Sequence, residues 1–129
     1  MVLNLFVGRR DSMHRDDSYL RDLLMEIEDS PDIVFITRRP LSASAELKKQ
    51  NHHLELLCDC GFLARVNDNA YRLTSAGHDF TQALRNETIW SKTRSKVAEA
   101  GGYVTLEILS TIAIGYLKQE ISKATGLTL

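Results

Sequence analysis

The stretch YRLTSAGHDF, residues 71–80, places the end of a strand, a turn and the start of a helix within ten residues. Tyr71 and Leu73 alternate as they do on one face of a strand. The Thr74 hydroxyl oxygen can accept a hydrogen bond from the first free amides of a following helix. Gly77 permits the close approach of another backbone segment. The stretch therefore predicts a strand-to-helix corner at Thr74.

Upstream of this corner, the sequence predicts a helix followed by a hairpin. Strands are predicted at residues 62–66 and 71–73, because the NDNA segment between them is rich in residues that favour turns. One or two helices are predicted over residues 42–60, which begin with serines able to cap a helix and end before Gly61. This part of the chain therefore reads as a helix leading into a two-stranded wing.

The N-terminal part predicts one amphipathic helix and one short strand. Residues 16–30 carry apolar side chains at helical spacing, namely Leu20, Leu23, Leu24 and Ile27. The run DIVFITRR then predicts a strand over residues 33–37, closed by Pro40. The segment MVLNLFVGRR before them is interpreted as a short strand or a tail that docks on the rest of the protein.

The C-terminal part predicts helices up to the break at EAGG and a last helix over about residues 104–123. The apolar face of that helix is wide enough to need more than one neighbour, so it should either wrap the winged body or pair with its copy. Of these two, we expect a homodimer through this helix. The side chains expected at the dimer interface are Leu106, Leu109, Ile112, Ala113, Tyr116 and Leu117. Trp90 is expected in the core between the C-terminal helices, because Ile89 and Val97 share its apolar stripe.

The element order helix, strand, helical segment and hairpin predicts an α+β, mainly α fold of the winged helix-turn-helix type. A single domain is expected over residues 1–129, with a winged-helix body at about 14–74 and a helical extension at 75–129. A hydrophobic fraction of 43% is enough to bury one core.

Charge and cysteine content narrow the class of protein. The formal net charge of -1 creates no overall field toward nucleic acid or an anionic membrane, so any DNA affinity must come from a local patch. Cys58 and Cys60 are too close in sequence for a typical disulfide, which favours a reducing cytoplasm. The most apolar stretch, VTLEILSTIAIGYL, contains Glu107 and is too short to span a membrane.

A local basic patch predicts DNA binding. Arginine, lysine, glutamine and histidine side chains contact phosphates and base edges, and here they cluster at Arg38, Arg39, Lys48, Lys49, Gln50, His52 and His53. Glu46 and Glu55 on the same helix and Asp68 in the wing turn oppose this interpretation. The alternative is that these charges form an ordinary solvated helix face.

Enzymatic and metal-binding functions are not predicted. Histidine and cysteine are good zinc ligands, but Cys58 and Cys60 at i and i+2 of a helix point apart, and no histidine pair at i and i+4 completes a set. His78 and Asp79 are sequence neighbours that face different directions, so they do not form a nucleophile and base pair. We expect no cofactor and no catalytic residue.

Three segments together carry a resemblance to a known family: residues 16–28, 51–63 and 71–109. Their most specific features are Arg72-Leu73-Thr74, then Gly77-His78 with an acidic residue and Phe80, then Arg85, Trp90 and Lys92. In this combination the chain resembles domain-of-unknown-function family 2513, small bacterial and prophage-borne proteins. The resemblance implies a winged-helix body in mobile-element or host-defence contexts and brings no reaction, ligand or catalytic residue.

The sequence as a whole therefore predicts a cytoplasmic, non-enzymatic DNA-binding protein that regulates a prophage, mobile-element or defence locus as a homodimer. The alternative prediction is a protein-protein interaction module, such as an inhibitor, an immunity protein or a defence accessory protein, that reuses the winged-helix fold without binding DNA.

Overall fold

The computed structural model describes residues 13–37 and 44–129. These residues form five helices and a three-stranded antiparallel sheet, so the prediction of an α+β, mainly α protein is confirmed. In chain order the elements are α1 (Asp17–Asp29), β1 (Phe35–Ile36), α2 (Ala45–Asp59), β2 (Leu63–Asn67), β3 (Ala70–Leu73), α3 (Ser75–Arg85), α4 (Glu87–Glu99) and α5 (Leu106–Thr125). The predicted N-terminal tail and the residues Arg38 and Arg39 lie outside the described residues.

The sheet has the strand order β1-β3-β2, with β3 in the centre. β1 extends over two residues, fewer than predicted, and pairs Phe35 with Tyr71. The hairpin turn is fixed to the end of β1, since the Thr37 N–H donates to the Asn69 carbonyl oxygen at 2.9 Å and the Asn69 amide donates to the Thr37 carbonyl oxygen at 3.1 Å. The helix and the hairpin predicted before Thr74 are thus confirmed, and the short strand β1 joins the two hairpin strands in one sheet.

The corner at Thr74 joins the sheet to the C-terminal helices. The Thr74 hydroxyl accepts from the Gly77 N–H at 3.0 Å and donates to the Gly61 carbonyl oxygen at 2.6 Å, so it caps α3 as predicted. A side chain at position 77 is excluded because a Cβ there would lie 2.0 Å from the Phe62 carbonyl oxygen. The corner is therefore a contact of backbone on backbone between α3 and the residue before β2.

One hydrophobic core connects α1, α2, the sheet and α3 to α5. Its largest fully buried side chains include Tyr71, Phe80, Leu20, Leu24, Leu54, Leu57, Leu84, Ile89 and Leu109. Trp90 is 8% exposed, which confirms its predicted core position, and the Arg21 and Arg94 guanidinium carbons lie 5.3 and 5.2 Å from its ring centre. Arg21 also donates to the Leu84 carbonyl oxygen at 2.6 Å, which ties α1 to the C-terminal end of α3.

The last helix contributes to this core, and the predicted dimer interface needs correction. Leu106, Leu109 and Ala113 are buried within the same chain, where α5 packs against α3 and α4. A side chain that is already buried adds no new burial at a second interface, so these three are removed from the predicted set. Ile112, Tyr116 and Leu117 are half-buried, while Ile108 remains 48% exposed.

Candidate nucleic-acid interface

The outer face of α2 brings three of the polar side chains of this helix together. Lys48 is exposed, and Asn51 and His52 are half-buried. Residues three and four positions apart share one face of a helix, and these side chains line a shallow groove of about 350 Å³ with Met13 and Glu55. Of the predicted DNA-contacting residues, Lys48 and His52 therefore lie side by side on the surface.

Lys49 lies on a different face of α2 and contacts the start of α1. Its Nζ is 3.0 Å from Asp16 Oδ2 and 4.6 Å from the Tyr19 ring centre. Burial raises the pKa of Asp16, but hydrogen bonds from the Tyr19 N–H and from Lys49 outweigh it and leave that pKa below its ordinary value. Lys49 therefore has a carboxylate partner that a phosphate would have to displace.

Gln50 contacts the end of β1. Its Oε1 accepts a hydrogen bond from the Thr37 hydroxyl at 2.8 Å. Thr37 is buried and its hydroxyl also lies 3.3 Å from Asn51 Oδ1, so the middle of α2 is held against the residue that follows β1. Arg38 and Arg39 follow Thr37 in sequence and, as noted above, are not among the described residues.

His53 is a core residue, which corrects its prediction as a DNA contact. It is 1% exposed, its Nε2 accepts from the Asp16 N–H at 2.9 Å, and its Nδ1 lies 2.8 Å from the Lys49 carbonyl oxygen. Accepting at Nε2 makes Nδ1 the protonated nitrogen of a neutral ring. Burial lowers the pKa of His53, which favours the same neutral form. Because both ring nitrogens of His53 are hydrogen-bonded inside the protein, the side chain has no free donor or acceptor for DNA.

The β2–β3 hairpin adds charges of both signs next to α2. Arg65 on β2 forms an ion pair with Glu55 and donates to the Asp68 carbonyl oxygen at 3.2 Å. Tyr71 donates from its hydroxyl to the same Glu55 carboxylate at 3.2 Å. Arg72 on β3 is exposed. Of the acidic residues that oppose DNA binding, Glu55 is therefore paired with the hairpin.

One polar cluster between α1 and α3 is not predicted by the sequence. Glu28 accepts hydrogen bonds from Arg85 at 2.7 Å, from His78 Nδ1 at 3.2 Å and from Gln82 at 3.2 Å. Burial raises the pKa of Glu28, but these hydrogen bonds outweigh it and lower that pKa overall. The spacing of His78, Gln82 and Arg85 on α3 is the only sequence signal for this cluster.

Among residues 13–37 and 44–129 no group of three or more histidine, cysteine, aspartate or glutamate side chains is arranged to hold a metal ion. Cys58 is half-buried and Cys60 is exposed, and both are free thiols. Over the same residues no helix is long and apolar enough to cross a membrane.

The comparison with known protein families shows which family the chain belongs to. The family model described as "Hypothetical protein (DUF2513)" matches residues 14–103, well over half of the chain. The chain belongs to the DUF2513 family. The resemblance predicted from the three segments is thereby confirmed, and the DUF2513 match runs from the residues before α1 to the loop after α4. No curated protein and no solved structure matches the chain significantly.

Proposed function

We propose that this DUF2513 protein is a non-enzymatic winged-helix protein that binds DNA in the cytoplasm and regulates transcription at a prophage, mobile-element or defence locus. The observation that carries the proposal is the outer face of α2, where the exposed Lys48 and the half-buried Asn51 and His52 line one groove before the β2–β3 hairpin. The sheet order β1-β3-β2 supports the winged-helix interpretation, because the wing strands of such a fold pair with a short strand between its first two helices.

In this proposal α2 enters the major groove and the wing follows the backbone. Lys48 contacts a phosphate, and Asn51 and His52 have the donors and acceptors that read base edges. Lys49 and Gln50 would join this contact only on leaving their partners Asp16 and Thr37, and Arg38 and Arg39 are proposed to contact flanking phosphates. The affinity is expected to be modest, because the described part of α2 also carries Glu46, which is exposed.

The test is fluorescence anisotropy of the protein with a labelled duplex from the region upstream of its own gene, measured across a salt series. Phosphate contacts release counterions, so binding weakens steeply as salt rises. Lys48→Gln should weaken binding and reduce the slope of log affinity against log salt by about one. Lys48 is suited to this test because it has no ion pair with any other described residue.

Lys118→Gln is the matched control, since Lys118 is an exposed lysine on α5, away from α2. It should leave both affinity and salt slope unchanged. Absence of binding at about 50 mM salt, where phosphate contacts are strongest, would overturn the proposal. An equal effect of the two lysine variants would show non-specific attraction in place of an α2 interface.

We also propose a homodimer, with a revised interface on α5. Ile108 and Ile112 lie four residues apart on a face that the core does not fully cover. A two-fold dimer would present two α2 helices to two half-sites. Light scattering after size exclusion should give twice the chain mass, and Ile108→Lys should return it to one chain mass.

A second candidate function is a protein-binding module, and the outer side of the sheet favours it. Ile33 is 84% exposed, Ile36 on β1 is 70% exposed and Val66 on β2 is 50% exposed. Ile33 precedes β1, and exposed apolar side chains on and beside a sheet are typical of protein interfaces. Co-purification of a defined partner that is lost on Ile36→Lys, with no DNA binding by the wild type, would establish this function instead.

A further inference from the structure

A cavity of about 580 Å³ opens between the C-terminal half of α2, the residues before α1 and the loop that leads into α5. Its volume lies within the range of sites that bind small molecules. The apolar part of its lining consists of Leu56, Leu106 and Met13, and the polar part includes His52 and Asp59. Three separate segments of the chain therefore meet around a space of ligand size.

One wall of the cavity is an exposed aromatic ring in contact with Arg15, which lines the same cavity. Tyr103 is 68% exposed, and the Arg15 guanidinium carbon lies 5.0 Å from its ring centre. Arg15 is itself fixed, since it donates to Asp17 Oδ1 at 2.6 Å and to the Val104 carbonyl oxygen at 2.7 Å. Stacking on a cation orders the Tyr103 ring, and an ordered ring beside an apolar floor is a platform for a planar ligand.

Among the described residues, the cavity lining carries one carboxylate, Asp59, and one guanidinium, Arg15. Asp59 is exposed and is the last residue of α2, so its carboxylate adds to the negative end of the helix dipole. Glu107 lies in the first turn of α5 and offsets the positive end of that helix. The charge of Arg15 is matched by Asp17. Burial raises the pKa of the Cys60 thiol, the carboxylates of Asp59 and Glu107 raise it further, and Arg15 opposes this increase.

We propose that this cavity binds a small planar aromatic cation. The ring of the ligand packs between Tyr103 and the floor at Leu56, and its positive group lies near the Asp59 carboxylate. His52 lines both this cavity and the groove on the outer face of α2. The bound cation would therefore touch a residue of the proposed DNA interface, but binding in the cavity does not depend on DNA.

The test is a nuclear magnetic resonance titration of the full chain with three probes of nearly equal shape. Benzamidine is a planar aromatic cation, benzamide is its neutral counterpart and benzoate is the anion. Benzamidine should shift the amide signals of Leu56, Asp59 and Tyr103, with a dissociation constant on the order of 1 mM, as expected for a fragment of this size. Benzamide should bind more weakly, and benzoate should bind least.

Two variants locate the binding. Asp59→Asn should weaken benzamidine by about three- to fivefold, the effect of one partly screened ion pair, and leave benzamide unchanged. Tyr103→Ala should weaken both probes, because both lose the stacking surface. Both residues are exposed, so the fold should survive, and the spectrum of each variant confirms this directly.

Asp79→Asn on α3 is the matched control, because it removes an exposed carboxylate outside the cavity. Its affinity for benzamidine should equal that of the wild type. Absence of binding, equal binding of the three probes, shifts that lie away from Tyr103, or equal effects of Asp59→Asn and Asp79→Asn would each overturn the proposal. Each of these results is independent of DNA binding.

Discussion

At the scale of single residues, Gly77 shows how one missing side chain fixes the path of the backbone. The sequence predicted a close approach at this position from the residue type alone. It could not predict the partner, because the Phe62 carbonyl oxygen comes from a segment 15 residues upstream. The contact forms only when the hairpin has folded back on the start of α3.

We therefore expect Gly77→Ala to destabilise the protein by about 1–3 kcal/mol or more, the usual cost of overpacking. Urea unfolding at equilibrium would measure it. Gly115→Ala is the matched control, because Gly115 lies within α5 and nothing lies within 4 Å of the position that a Cβ would take there. Alanine at that position should stabilise by about 0.5–1 kcal/mol. Equal effects of the two changes would contradict the backbone contact.

His53 is the residue whose role the sequence did not reveal. Histidines are common at DNA interfaces, and His52 and His53 are adjacent, so composition cannot tell which of them faces inward. The helical phase decides it, since His53 shares the buried face of α2 with Leu54 and Leu57. The packing of α2 on the start of α1 shows that His53, and not His52, faces the core.

The buried state of His53 predicts a pH dependence of stability. Burial lowers its pKa in the folded chain, so the unfolded chain binds this proton more readily. The free energy of unfolding is therefore expected to fall as the pH drops from about 7 to 5, around and below the ordinary histidine pKa. Thermal or urea unfolding across this range should show a weaker slope for His53→Gln.

His14→Gln is the control for that slope, because His14 is exposed. The lowered pKa values of Asp16 and Glu28 also reduce stability in acid, but at lower pH, below the ordinary range of carboxylates. If the free energy of unfolding falls equally with pH in the wild type and in His53→Gln between pH 7 and 5, the buried histidine is not the cause of that fall.

At the scale of elements, helix starts were predicted better than helix faces. Thr74 and Thr105 stand at the N-caps of α3 and α5, where a hydroxyl beside an apolar run is a local signal. The face of a helix depends on what packs against it. The wide apolar face of α5 was interpreted as a dimer surface, but α3 and α4 cover its centre.

The Thr74 cap is expected to contribute more than an ordinary cap. Its hydroxyl both caps α3 and donates to the Gly61 carbonyl oxygen, so Thr74→Ala should cost about 2 kcal/mol, at the upper end for caps. Thr74→Ser keeps the hydroxyl and should restore most of the loss. Thr105→Ala removes a cap without a second bond of this kind and should cost about 1 kcal/mol in the same unfolding assay.

At the scale of the whole molecule, the hydrophobic core extends beyond the C-terminal end of the family match. The match stops at residue 103, before α5 begins. The core nevertheless includes Leu106 and Leu109. The cavity beside Tyr103 is also a property of the whole molecule, because it needs residues from three distant segments. No local pattern in the sequence could have indicated it.

A chain ending at residue 103 is therefore expected not to fold. Losing two buried leucines alone removes about 4 kcal/mol, a large part of the 5–15 kcal/mol that stabilises a typical domain. A chain ending at residue 126 removes three exposed residues and should unfold like the full chain. Circular dichroism on heating would distinguish them, and a cooperative transition in the shorter chain would contradict the expectation.

The contact of Trp90 with two guanidinium groups has a practical consequence for fluorescence spectroscopy. It is the single tryptophan of the chain, so intrinsic emission at long excitation wavelengths comes from one indole. That indole is stacked by Arg21 of α1 and Arg94 of α4. The wavelength of maximum emission thus reports, without any dye, whether α1 is still packed against α4.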